Sequence, residues 1–206
     1  MKNTYKTAQE EFWSGDFGAE YIGRNMGEKL LASNLFFFSN ILRRMKDVKS
    51  IIEFGSNVGM NLKAFKLLLP EAELAGIEIN EKAYEQLMNI PGVKGYHSSI
   101  LDFTPDTKRD LSLIKGVLIH INPDELKTVY QKLYESSSKY ICIAEYYNPS
   151  PVELNYRGHT GKLFKRDFAG EMMERYPDLE LVDYGFAYKR DNLFPQDDIT
   201  WFLLKK

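Results

Sequence analysis

The stretch Ile51-Ile52-Glu53-Phe54-Gly55-Ser56-Asn57-Val58-Gly59-Met60-Asn61-Leu62 constrains this chain more than any other. Ser50–Phe54 reads as a short buried strand, Gly55 and Gly59 bound a tight turn, and 61–69 reads as a helix that Pro70 stops. A strand that feeds a helix through Gly-x-x-x-Gly brings backbone N–H groups and a helix N-terminus to one point, where a nucleotide-like ligand can sit. Lacking a Cβ, Gly55 and Gly59 let the backbone turn tightly and approach that ligand. The next strand-like run, 73–79, carries Glu78 near its end. That acid stands roughly 20 residues beyond the glycines, the separation expected of a carboxylate that accepts hydrogen bonds from ribose hydroxyls.

A dinucleotide fingerprint, G-x-G-x-x-G, would need glycine at 55, 57 and 60, and Asn57 and Met60 break it. The pattern that remains is Glu53-x-Gly55-x-x-x-Gly59 with Glu78 beyond. It resembles motifs I and II of the class I S-adenosylmethionine (SAM) methyltransferases, in which the glycine turn wraps the amino-acid part of SAM. Asn57 replaces a middle glycine often seen there, and asparagine also visits the left-handed region. The resemblance implies SAM as the cofactor, held by Gly55, Ser56, Asn57, Gly59, Glu78 and Ile79. Glu53 would support the turn or the amino group.

Length and composition narrow the classes further. A chain of 206 residues is long enough for one domain with a substantial core, read as a lid and packing helix over 1–45 and a Rossmann-like core over 46–206. Hydrophobic content of 44% and charged content of 27% are ordinary for a globular protein. The net charge of −2 offers no electrostatic footprint for nucleic acid. Cys142 is the single cysteine, so no intrachain disulfide can form, and its apolar flanks place it in a buried strand. The longest apolar run near the start, Leu35–Phe38, falls far short of the ~20 residues of a membrane span. With no segment of signal-peptide character, the expectation is a cytoplasmic protein, monomeric or homodimeric, with no membrane partner and no bound metal.

Along the chain, aromatic and glycine residues punctuate 9–25, a composition suited to a lid, with Trp13, Tyr21 and Arg24 as candidate cofactor contacts. Arg24 is placed to pair a carboxylate such as that of SAM's methionine moiety. Apolar residues at three- and four-residue steps make 28–45 a packing helix. A helix over 80–89 and a strand over 93–97 follow, then the junction Ser98-Ser99-Ile100-Leu101-Asp102. In the methyltransferase family this junction touches adenine, which makes Ser99, Ile100 and Leu101 candidates. The fourth strand lies within 111–123 and carries Lys115, a further cofactor candidate, with His120 at its end. A helix over 124–136 and a nearly all-apolar fifth strand over 139–146 follow. The segment 146–163 reads as a loop of about fifteen residues, and ordered loops of that length are usually functional. A helix over 166–176 and two strands, 179–189 and 199–204, antiparallel to each other, complete an α/β fold. The expected architecture is a mostly parallel seven-stranded sheet, helices on both faces, and an antiparallel final strand.

Methyl transfer is an in-line displacement that depends mainly on alignment, and a hydroxyl acceptor also needs a base. His120, His159 and Tyr146 are the candidates for catalysis. Tyr147, Asn148, Tyr156 and Arg157 are the candidates for the substrate, since Arg makes bidentate contacts with carboxylate or phosphate. Three further stretches carry a narrower likeness: Gln9-Glu10-Glu11-Phe12-Trp13 with Gly15-Asp16-Phe17-Gly18 and Tyr21; Gly116-Val117-Leu118-Ile119-His120-Ile121-Asn122-Pro123; and Glu145-Tyr146-Tyr147-Asn148-Pro149 with Asn155-Tyr156-Arg157-Gly158-His159. Together they look like the pseudaminic acid biosynthesis-associated methylases, over most of the chain from about residue 8. That resemblance implies a bacterial SAM methyltransferase acting at O or N of a nonulosonic, sialic-acid-like sugar or its precursor, carboxylated or nucleotide-activated. The rival readings are a methyltransferase for another small molecule and a non-catalytic SAM- or nucleotide-binding module.

Overall fold

A computed structural model of the chain describes residues 5–24 and 26–206, Arg24 without its side chain. Its helices are α1 (Ala8–Ser14), α2 (Asp16–Tyr21), α3 (Glu28–Leu42), α4 (Met60–Leu68), α5 (Glu81–Leu87), α6 (Leu126–Ser136) and α7 (Phe168–Arg175). Its strands are β1 (Ser50–Phe54), β2 (Glu73–Glu78), β3 (Val93–His97), β4 (Arg109–Lys115), β5 (Ser137–Glu145), β6 (Val152–Tyr156), β7 (His159–Lys165), β8 (Glu180–Ala187) and β9 (Ile199–Lys205).

Seven strands form one sheet in the order β3-β2-β1-β4-β5-β9-β8. β1 to β5 run parallel, and β9 pairs antiparallel with both β5 and β8. The chain moves outward from β1 to β3 and then returns to β4 on the other side of β1. Phe54 pairs with Ile114 at the carboxyl ends of β1 and β4, and that reversal of strand order opens a crevice there.

Successive side chains of a strand point to opposite faces, so the parallel strands must be apolar on both. Ile52, Phe54, Ile77, Ile114 and Ile141 face one core with Val129 and Leu133 of α6 and Phe168 and Met172 of α7. Ile51, Leu74, Leu111, Leu113 and Cys142 face the other with Phe37, Phe38 and Ile41 of α3 and Leu62 and Phe65 of α4. Burial pushes the Cys142 thiol up to about 12, so it is inert at neutral pH. Among the described residues no helix is long and apolar enough to cross a membrane.

The expected elements differ from the observed ones in four places. The helix predicted to reach Met45 ends at Leu42. β4 stops at Lys115, so His120 lies beyond the strand in a 3₁₀ turn, Leu118–His120. Of the segment 9–25, to which no secondary structure is assigned from sequence, the described residues up to Tyr21 lie in two short helices. The fourth difference is the largest. The expected loop after β5 is a hairpin of β6 and β7, turned by Arg157 and Gly158 at φ 52° and 88°. Positive φ at both central residues is the geometry of a type I′ turn, whose twist matches that of the strands it joins.

Candidate active site

The turn between β1 and α4 depends on three residues of positive φ, Gly55 (75°), Asn57 (47°) and Gly59 (77°). Asn57 tolerates this region because its Oδ1 accepts the Val58 N–H at 2.7 Å. The Gly55 and Ser56 N–H groups both donate to the Ile77 carbonyl, at 3.0 and 2.9 Å, which ties the turn to β2. The Asn57 N–H donates to Glu78 Oε2 at 2.7 Å, and the Asn80 N–H donates to Glu78 Oε1 at 2.7 Å. Burial raises the Glu78 pKa, and these two N–H groups oppose the rise. The N–H groups from 55 to 59 therefore already have acceptors inside the protein, Gly59 donating to Ser56. The turn offers a ligand its shape and its acid rather than free donors.

The two glycines do different work. A Cβ on Gly55 would stand 2.6 Å from Val117 Cγ2, and one on Gly59 would stand 2.4 Å from Ile90 Cδ1. Gly59 lies outside the cavity and is required by its backbone conformation and by close packing under α5, not by approach to a ligand.

Above the turn lies a cavity of ≈ 440 Å³, within the range of small-ligand pockets. Gly55, Ser56, Asn57, Glu78 and Ile79 form its floor, and Ser99, Ile100 and Leu101 one wall. Lys115, His120, Tyr146 and Tyr156 line the opposite end, and Trp13 and Tyr21 close the top.

The cover is fastened to the base of the site by named contacts. Asn80 Nδ2 donates to the carbonyls of Trp13, Ser14 and Gly15, each at 3.2 Å. Ser99 Oγ donates to Glu10 Oε1. On the other side, Gln9 Nε2 donates to the Gly161 carbonyl at 2.8 Å, and Lys162 Nζ donates to the Ala8 carbonyl at 2.7 Å. α1 thus joins the acid end of the cavity to the β6–β7 hairpin.

At the far end, Glu145 Oε1 accepts the Val117 and Leu118 N–H groups, both at 2.9 Å, which fixes the start of the 3₁₀ turn that carries His120. His120 is 7% exposed, and its Nδ1 lies 2.6 Å from the Lys162 carbonyl. Its ring is packed against Trp13 at 4.6 Å and Tyr156 at 4.8 Å between centroids. Burial lowers its pKa to about 4. Burial raises Glu145 to about 7 and also raises the Tyr146 phenol. Lys115 is lowered by burial, although Glu53, Asp197 and Glu145 draw it back.

Several predicted site residues lie elsewhere. Glu53 is buried below the turn, where burial raises its carboxyl to about 8 and Asn61 Nδ2 donates to it at 2.5 Å. His159 is exposed and packs on Phe12 at 5.0 Å and Phe17 at 5.8 Å. Arg157 occupies the hairpin turn, its guanidinium 5.6 Å from the Tyr156 ring centroid. Tyr147 lies against Phe202 at 5.9 Å, and Asn148 Nδ2 donates to the Ser150 carbonyl at 2.6 Å. None of these lines the cavity: Glu53 lies beneath the turn, and beyond Glu145 at the end of β5 the chain carries Tyr147, Asn148, Arg157 and His159 away along the hairpin. The Arg24 side chain lies outside the described residues. The sequence reading missed Lys189, Gln196 and Asp197, which the β8–β9 connection brings to the cavity. Gln196 is buried and donates to Asn34 Oδ1 at 2.9 Å, an anchor 162 positions away that no local pattern announces.

No protein-family model matches the sequence, and no curated protein matches it. Solved structures do. The 1,6-didemethyltoxoflavin-N1-methyltransferase of Burkholderia thailandensis, with bound 1,6-didemethyltoxoflavin and S-adenosylhomocysteine (SAH), is 14% identical with TM-score 0.71, over 99% of this chain and 92% of that one. The chain has the SAM-dependent methyltransferase fold. A SAM-dependent methyltransferase of Leishmania major is 13% identical with TM-score 0.71, covering 96% and 81%. The plantazolicin methyltransferase BpumL, in complex with a pentazolic desmethylPZN analogue and SAH, is 15% identical with TM-score 0.65, covering 97% and 95%. In this methyltransferase fold the cavity lies at the carboxyl ends of β1, β2 and β4, the region where open α/β sheets bind ligands.

Proposed function

We propose that this chain transfers a methyl group from SAM to a small-molecule acceptor. The observation that carries the proposal is Glu78, a buried acid facing the cavity, each of whose oxygens accepts one N–H and keeps capacity for another partner. That arrangement suits the paired hydroxyls of a ribose. Ile79, Ser99, Ile100 and Leu101 supply the neighbouring wall for adenine, and Lys115, which lines the same cavity, supplies a cation for the methionine carboxylate. When bound, SAM supplies an electrophilic methyl group on a positively charged sulfur. Trp13 and Tyr21 shield that region from water, and the whole chain works as one unit of lid and core.

Two observations support a small acceptor. The cavity is compact and covered by α1 and α2, and similar folds carry methyltransferases named for plantazolicin and 1,6-didemethyltoxoflavin. Within that class, the resemblance to the pseudaminic acid biosynthesis-associated methylases favours a nonulosonic sugar or its precursor. Aromatic walls at Trp13, Tyr146 and Tyr156 suit the faces of a sugar ring, and Lys189, whose ammonium pairs with Asp198 at 3.1 Å, lines the same cavity and would have to share that charge with a sugar carboxylate. Arg157, on the outer turn of the hairpin, is not part of that contact. Calorimetric titration with SAH, with NADH as the control, tests the cofactor. Micromolar SAH binding without NADH binding is expected, and NADH binding in preference to SAH would overturn the proposal.

A further inference from the structure

We infer that the acceptor group is a hydroxyl and that His120 Nε2 takes its proton; the inference rests on the methyl-transfer reading above. A carbonyl oxygen can only accept, so the 2.6 Å contact with Lys162 requires the proton of His120 to sit on Nδ1. Nε2 then carries the lone pair. Among the described residues it has no hydrogen-bond partner, and His120 lines the cavity. The Lys162 carbonyl that selects this tautomer belongs to β7, and the backbone that carries the ring is held by Glu145 at the end of β5. Separate elements therefore fix one orientation of a base.

Beside it stands a donor without a partner. Among the described residues the buried Trp13 Nε1 has no hydrogen-bond partner, and its ring lies 4.6 Å from that of His120 between centroids. A ligand group that serves His120 must donate to Nε2 and keep a lone pair for attack, and one that also accepts from the indole N–H would give that buried donor a partner. A hydroxyl does all three. An amine arrives mostly as an ammonium, which has donors but nothing to offer the indole, and a carboxylate brings no proton for His120. The neutral state of the ring agrees with its burial, which keeps the pKa near 4. The aromatic neighbours Trp13 and Tyr156 bring no charge to it.

The step balances as follows. The hydroxyl oxygen forms a bond to the methyl carbon, the carbon–sulfur bond breaks with its electron pair left on sulfur, and the hydroxyl proton passes to His120 Nε2 and thence to water. The products are a methyl ether and SAH.

Histidine-labelled full-length protein at pH 7 provides the first test, through long-range ¹H–¹⁵N correlations with His120→Asn used for assignment. The Nδ1–H tautomer with a bare Nε2 is expected; an Nε2–H tautomer or an imidazolium overturns the inference. The second test follows methyl transfer from radiolabelled SAM to N-acetylneuraminic acid, its methyl glycoside and glucosamine. Asn keeps a donor near the Nδ1 position, so His120→Asn should fold, bind SAH as the wild type does, and lose about 100-fold or more in kcat. An N-methylated product, or wild-type turnover by His120→Asn, overturns it. If no probe is methylated, the tautomer decides. Failure of SAH to bind the wild-type protein removes the methyl-transfer proposal itself, whereas SAH binding with the wrong tautomer removes only this inference.

Discussion

Replacing Glu78 by glutamine separates the proposed ribose acceptor from the framework around it. In the wild type the carboxylate accepts the Asn57 and Asn80 N–H groups at 2.7 Å each, one on each oxygen. A carboxamide keeps one acceptor oxygen, and its NH₂ group must then face the other backbone N–H. One hydrogen bond to a charged group is lost, and a ligand hydroxyl loses the ionic acceptor, at about 1.5–3 kcal/mol for such a bond. SAH affinity should therefore fall roughly 10- to 150-fold. Calorimetric titration of both proteins gives the ratio, and thermal unfolding verifies that the variant is folded. The reasoning fails if Glu78→Gln binds SAH with wild-type affinity. Gly55→Val, the more obvious perturbation, is less clean, because its Cβ would drive into Val117 from a residue at φ 75°. Lost binding there would not distinguish a filled site from a displaced wall.

Glu145→Ala should leave the Val117 and Leu118 N–H groups without an acceptor, at about 1–3 kcal/mol for each group. Urea unfolding should show that loss, and stability equal to wild type would refute the positioning role. Glu53 has a folded pKa raised from 4.5 to about 8, so at pH 7 the folded protein holds a proton that the unfolded chain has released, and Glu53→Gln, which needs no proton, should be more stable than the wild type there. The folded state binds that proton more tightly than the unfolded chain, so its contribution is present below pH 4.5 and is lost as pH rises toward 8. Chemical unfolding at pH 5.5 and 8 should show a smaller loss in the variant than in the wild type, and an equal loss would contradict the assignment. Asn80→Asp keeps an acceptor for the Ala83 N–H but removes the donor to Trp13, Ser14 and Gly15. Proteolysis within 8–21 should quicken, and an unchanged cleavage rate would show that the latch does not hold the lid.

The centre of the fold was legible because its determinants are local. A buried strand, two glycines and a distant acid specify β1, the turn and Glu78 without reference to the rest of the chain. The direction in which a glycine lacks its Cβ is not local. Sequence alone could not tell that Gly55 faces Val117 at the cavity edge while Gly59 faces Ile90 under α5. The hairpin was missed for a different reason. β6 does alternate apolar and polar residues, Val152-Glu153-Leu154-Asn155-Tyr156, but it is exposed along most of its length, so the pattern marks no core face, and Pro149 and Pro151 just before it read as loop. Once 146–163 was read as a loop, Arg157 and His159 looked like pocket residues, although the turn carries them away from it. Lys189 and Asp197 reach the cavity only because β8 and β9 pair at the sheet edge, a tertiary fact without a short-range signal.

The most direct test of the account is amide hydrogen exchange with and without saturating SAH. Protection is expected at 55–58, 78–80 and 99–101, with slower exchange in 13–21 as the lid settles on the ligand. Binding of SAH with protection confined to other parts of the chain, or no change at these segments at saturation, would contradict the site described above.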